Sequence, residues 1–184
     1  GFWKVDQWNL VKSNFLVRIC VNRIVSGVES TIYQQMKKVQ VKGKYNITIK
    51  DTDGSMINTS LEIKYKKMRI KPPEGKSSRY SDIETTVIFA KEISDRNEGR
   101  EKIDWKLITN LPINSLKDAI EKLQWYSLRW KIEVFFNILK SGCKAEESKL
   151  RTADRVSKVL AIFCILSWRI FWMNYLNRLE PEEE

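Results

Sequence analysis

The chain has 184 residues, with 33 Lys and Arg against 23 Asp and Glu, a formal net charge of +10 and an isoelectric point near 9.5. With 42% hydrophobic and 30% charged residues and only seven Gly and four Pro, it is neither a disordered nor a collagen-like chain. Its length allows one to two domains with a buried core.

Histidine is absent. That removes Ser-His-Asp and Cys-His catalysis and histidine-ligated zinc, so any chemistry falls to carboxylates, Lys, Tyr or Cys. Cys20, Cys143 and Cys164 are odd in number and widely spaced, and are expected to be reduced structural thiols of a cytoplasmic protein. The first residues carry no basic stretch followed by an apolar run, so no secretory signal is expected there. The basic excess suits a polyanionic partner, although a basic bacterial-type protein need not bind nucleic acid.

In chain order, Phe2, Val5, Trp8 and Leu10 have helical spacing up to about Lys12. The β-branched run from Phe15 to Val21 predicts a strand. Short alternating runs predict strands at Val39–Val41, Tyr45–Ile49, Thr59–Tyr65, Glu84–Ala90 and Asp104–Thr109, in an antiparallel block. Asp53 and Gly54 signal the turn between the second and third of these, and Pro72, Pro73 and Gly75 break the chain later. Asp95–Gly99 is expected to be a loop. The basic run Lys64–Lys71 reads either as an edge strand protected by lysines or as a surface for the phosphate backbone.

The final third is helical by pattern. Ser115 with Asp118 forms a capping-box signal for a helix running to Gly142, and Thr152 or Asp154 starts a second helix ending near Leu179. Val159–Leu166 is too short and too close to Arg169 for a membrane span, so a buried helix is expected there. Glu180–Glu184 is an acidic tail.

On an unbroken α-helix of about 100° per residue, Tyr126, Arg129, Glu133 and Lys140 share an arc about 60° wide. Leu128, Ile132, Phe135 and Leu139 fall on the opposite, core-facing side. Taken alone, this pattern also describes an ordinary salt-bridged helix face, since Arg129 and Glu133 are an i,i+4 pair.

The spacing of Tyr126, Arg129, Glu133 and Lys140 resembles the YREK signature of DDE transposases of insertion-sequence family four, which includes the transposon-five transposase. The run Tyr126–Glu133 resembles the family's Y-x-x-R-W-x-I-E core, and Leu139–Gly142 its continuation. Ile103–Thr109, with Trp105, resembles the strand that carries a base-stacking tryptophan. Phe15–Arg18 resembles the strand that follows the second catalytic aspartate. The likeness spans about Phe15 to Leu179.

The resemblance implies an α+β fold: a partial RNase H-like core interrupted by an antiparallel β insertion domain, with C-terminal helices. The implied boundaries are core helix and strand over 1–24, insertion domain over 25–102, returning strand and helices over 103–179, and a tail over 180–184. It implies cut-and-paste DNA transposition by hydrolysis and transesterification, with Mg²⁺ or Mn²⁺ in the complete enzyme. Glu133 would be the third metal carboxylate, since hard cations prefer oxygen ligands. Tyr126, Arg129 and Lys140 would hold DNA phosphates, Arg through two hydrogen bonds and Lys as a point charge. Trp105 would stack on a flipped base. The partner would be transposon-end DNA, with a homodimer in the complete enzyme and no membrane.

The two earlier aspartates of the triad have no match: Asp6, Asp51, Asp53 and Asp104 fit no catalytic motif. The expectation is therefore a C-terminal portion that binds no metal tightly and does not cleave DNA alone. The rival expectation is a non-catalytic DNA-binding or inert remnant. Trp105 is expected to show a ring face on the same side as Arg129 and Glu133.

Overall fold

A computed structural model of the chain describes residues 14–50, 55–93, 101–147 and 149–179. The opening helix, the Asp53–Gly54 turn, the Asp95–Gly99 loop and the acidic tail expected from the sequence lie outside the described residues, as do Asp6 and Asp51. The chain divides into two compact units, Gly1–Tyr126 and Ser127–Glu184.

The first unit is built on five strands: β1 (Leu16–Arg18), β2 (Gly43–Lys50), β3 (Met56–Ile70), β4 (Ile83–Glu92) and β5 (Asp104–Thr109). They form one sheet in the order β1-β5-β4-β3-β2, every neighbouring pair antiparallel. Strands from the expected core segments, β1 and β5, thus share a sheet with those from the expected insertion, β2 to β4. The architecture is α+β, as expected.

Both faces of the sheet are covered, which explains the unbroken apolar run Val87–Ala90 in β4. On one face, Met68, Ile70, Val87 and Ile108 pack with Ile32 and Met36 of a short helix, α1 (Ile32–Lys37). Helix α1 begins with a capping box: the Thr31 side chain accepts from the Gln34 N–H while Gln34 Oε1 accepts from the Thr31 N–H at 2.9 Å. On the other face, Leu61, Ile63, Ile88 and Leu107 pack with Ala119, Leu123 and Tyr126 of α2 (Leu116–Ser127). Gly43 makes room for that helix, because a Cβ there would stand 2.3 Å from Leu116 Cδ2. The predicted cap of α2 is present: Asp118 Oδ2 accepts from the N–H groups of Asn114 and Ser115 at 2.9 and 3.0 Å, and Ser115 Oγ accepts from the Asp118 N–H. These bonds, chiefly that from Asn114, hold the Asp118 carboxyl below its ordinary range.

Several strand bounds change. Thr59–Tyr65 and Lys64–Lys71 are not separate elements, since β3 runs unbroken from Met56 to Ile70. The basic run is an edge along most of its length: Lys64–Ile70 has β4 on one side, β2 pairs only with Met56–Ile63, and on the other side there is, among the described residues, just the single bridge from Val25 to Ile70. The predicted strand at Phe15–Val21 shortens to Leu16–Arg18, and Val39–Val41 forms none.

The second unit is helical. It contains α3 (Arg129–Asn137), a π-helical turn at Ile138–Gly142, a 3₁₀ turn at Ala145–Glu147 and α4 (Ala153–Leu179). The expected single helix from Ser115 to Gly142 is therefore interrupted. At Leu128 the carbonyl accepts from the Lys131 N–H, a three-residue step, and at the π turn the Ile138 carbonyl accepts from the Cys143 N–H, a five-residue step.

The expected burial of Val159–Leu166 is overturned. In α4 only Ser167 and Phe171 are buried among the described residues, with Val159, Phe163, Cys164 and Tyr175 half-buried beside them. Over Ala153–Asn177 the helix is long and apolar enough to cross a membrane by length and composition, and 11% of its apolar window is buried. The segment judged too short is thus part of a longer apolar helix. The three cysteines form no disulfide.

Candidate functional site

Trp105 and Tyr126 are brought together within the first unit. Trp105 lies on β5 opposite Ala90, whose small side chain leaves room for an indole on that face. Tyr126 closes α2 above it. The two rings meet edge to face with centroids 5.5 Å apart, the arrangement that sets a positive ring edge against a negative ring face. Trp105 is half-buried and Tyr126 is 9% exposed. The pair therefore forms the margin of the core beneath α2, with the indole partly open to solvent.

Arg129, Glu133 and Lys140 belong to the second unit. Arg129 and Glu133, one turn apart on α3, form an ion pair between Arg129 Nη1 and Glu133 Oε1. Their side chains are 53% and 59% exposed, so the pair is a surface one that water and salt screen. Lys140 sits on the π-helical turn and pairs with Glu146 of the 3₁₀ turn at 2.9 Å. The Glu146 carboxylate raises the Lys140 ammonium above its ordinary range. Glu146 went unnoticed in the sequence; its only signal there is the acidic pair Glu146–Glu147 just after Gly142.

The projection that placed Tyr126, Arg129, Glu133 and Lys140 on one arc assumed 100° per residue throughout. The break at Leu128 and the wider π turn remove that premise. Tyr126 lies in the last turn of one helix, Arg129 and Glu133 share the next, and Lys140 lies on the turn after it. The proposed core stripe changes with it: Leu139 is buried and Phe135 half-buried, but Leu128 and Ile132 are 50% and 54% exposed. Below α3, the π turn instead packs on α4 through Cys143, whose Sγ lies 3.4 Å from Ser167 Oγ.

A divalent ion of the kind the resemblance implies needs several oxygen ligands converging on one point. Among the described residues no three His, Cys, Asp or Glu side chains cluster closely enough to hold a metal. Glu133 faces Arg129 rather than a second carboxylate, and Asp104 is paired with Lys106 at 2.5 Å. The described residues do not by themselves fit a two-ion centre. What they offer is cationic and aromatic: a guanidinium and an ammonium on exposed turns, and a half-open indole.

A comparison with protein families matches residues 29–168 to the transposase DDE domain. The matched stretch takes in β2 to β5, α2, α3 and most of α4, and with them every residue of the candidate site. At 140 of 184 residues it covers about three-quarters of the sequence, and the chain belongs to the DDE transposase family.

Proposed function

We propose that this chain is a DNA-gripping part of a cut-and-paste DDE transposase of the insertion-sequence family four type, acting on transposon-end DNA in the cytoplasm. Arg129 and Lys140 contact backbone phosphates, Trp105 offers its open ring face to an unstacked base, and Tyr126 supports that ring from below. Glu133 supplies one carboxylate of the metal centre and, before DNA arrives, holds Arg129 extended along α3. The observation that carries this reading is the DDE-domain match over 29–168, which spans all five residues. The net charge of +10 supports a polyanionic partner.

With one carboxylate of the triad and no converging partners among the described residues, the chain alone is not expected to cleave DNA. Fluorescence anisotropy with a labelled duplex at about 50 and about 200 mM salt tests the binding. The affinity of the unaltered chain is expected to fall steeply over this range, because each neutralised phosphate releases counterions. Arg129→Ala with Lys140→Ala is expected to flatten the salt dependence by about 0.9 in log–log slope per lost contact. Salt-independent binding, or a slope unchanged in the double variant, would count against the reading. Magnesium-dependent nicking by the pure chain, lost in Glu133→Gln, would remove the claim that it is inactive alone.

A further inference from the structure

The hairpin of β2 and β3 outgrows its sheet. Leu61–Ile70 pairs with β4, whereas Met56–Ser60 lies beyond that pairing, with Asn46–Lys50 of β2 opposite it. The result is a two-stranded ribbon about 15 Å long, taking roughly 3.3 Å per residue.

Its two faces differ. Ile47, Ile49, Ile57 and Thr59 line one face, and Ile47 joins the core under α2. The other face carries two cross-strand rungs made only of hydrogen-bonding side chains. Thr48 Oγ1 donates to Asn58 Oδ1 at 2.7 Å, and Ser60 Oγ donates to Asn46 Oδ1 at 2.6 Å. Asn46, Thr48 and Asn58 are exposed. Each hydroxyl fixes an amide through one oxygen lone pair, which leaves the second lone pair and both Nδ2 hydrogens for a partner. At the ribbon's base the next rung on this face is Lys44, Glu62 and Lys91, with both lysines exposed. Among the described residues no hydrogen bond from outside the ribbon reaches the side chains of this neutral lane, at whose base Lys44 and Lys91 stand on either side of Glu62.

We propose that the Asn46–Thr48–Asn58–Ser60 face of the β2–β3 ribbon reads base edges in the major groove of duplex DNA, with Lys44 and Lys91 on the bordering phosphates. This deepens the proposed function and rests on its DNA-binding reading. The major groove, about 12 Å wide, admits a two-stranded ribbon, and paired amide donors and acceptors match the N6–H and N7 edge of adenine. A lane of lysines alone would grip phosphate without reading sequence; the fixed amides are what add readout.

The test selects preferred duplexes for the whole 184-residue chain from a randomised pool, then compares the preferred duplex with a scrambled one. The unaltered chain is expected to prefer the selected duplex at least tenfold. Asn46→Ala with Asn58→Ala is expected to erase that preference while leaving affinity for scrambled DNA and its salt slope unchanged. Lys44→Ala with Lys91→Ala is expected to weaken both duplexes alike. A probe with 7-deaza-adenine at the selected positions removes the N7 acceptor without altering the protein. It is expected to weaken binding about tenfold for the unaltered chain and not for the asparagine variant.

DNA binding that shows no sequence preference, or a preference untouched by both the asparagine changes and 7-deaza-adenine, overturns the ribbon's role and leaves the DNA-gripping reading standing. A change in self-association by light scattering, with DNA preference intact, would overturn it in favour of a second copy on this face. Absence of any DNA binding would overturn both readings.

Discussion

The two units of this chain solve the burial problem in opposite ways. In the first, one sheet is covered on both faces, and ten of its core side chains are less than 2% exposed, Ile63, Ile88 and Leu107 among them. In the second, α4 is largely apolar from Val159 on, yet among the described residues it buries only Ser167 and Phe171, with Val159, Phe163, Cys164 and Tyr175 half-buried beside them. Ile162, Ile165, Trp168, Trp172 and Met173 remain between 45% and 60% exposed. A helix without a polar side has nothing to present to water, so its composition is that of an enclosed helix while its surroundings within this chain are not. Side-chain density, rather than apolar content, separates the two units.

The largest effect that would test this contrast is a cavity in the sheet unit. Leu107→Ala is expected to cost about 2–5 kcal/mol, since the surrounding core relaxes only partly. Ile165→Ala on α4, a comparable truncation, is expected to change stability by less than about 0.5 kcal/mol. Chemical denaturation of the two variants checks both, and equal losses would mean that α4 is enclosed after all. Next comes Ser167, among the described residues the one fully buried polar residue of the second unit, which faces Cys143. Ser167→Leu is expected to overpack that narrow contact and cost about 1–3 kcal/mol, seen as a lower unfolding midpoint.

Smaller again is the cap of α2. Ser115→Ala is expected to cost about 1 kcal/mol. Its partner adds a pH dependence. Because the Asp118 carboxyl is held below its unfolded value of about 3.9, its contribution is complete above that pH and is lost as pH falls through the lower, folded value. Asp118→Asn should therefore lower the midpoint at neutral pH and flatten the acid limb of a stability–pH curve. An acid limb identical to that of the unaltered chain would remove the cap from the account. The smallest effect belongs to the surface pair: Arg129→Ala is expected to cost no more than about 0.5 kcal/mol of stability, so any larger change in DNA affinity reads function, not folding.

What the sequence revealed follows the same divide. Tyr45–Ile49, Glu84–Ala90 and Asp104–Thr109 alternate or run apolar because their faces meet real cores, and each appears close to its expected bounds. The Ser115–Asp118 cap was legible because it is a local, side-chain-to-backbone device. The length of β3 was hidden, since its second half turns lysines outward and changes partner strand at Ile63. The short α1 was missed because six residues give too few turns for periodicity, although the Thr31-to-Gln34 spacing was there to read. In the helical unit, pattern misled: Leu128 and Ile132 are spaced for a core that the chain does not build around them. The spacing of Arg129, Glu133 and Lys140 was legible in the text. The change of helical step at Leu128 and at Ile138 was not, because it depends on packing that no window of text contains.

One small feature has a temporal meaning. Among the described residues β1 pairs with β5 alone, and Thr109 Oγ1 donates to the Phe15 carbonyl at 2.5 Å while the Phe15 N–H donates to Asn110 Oδ1 at 2.8 Å. Among the described residues, no strand nearer in the chain stands beside β1. During synthesis at about 5–20 residues per second, Leu16 must wait on the order of five to twenty seconds for Thr109 to be made. β1 thus waits for β5 through that interval, its edge open to whatever in the cell recognises a nascent β-strand.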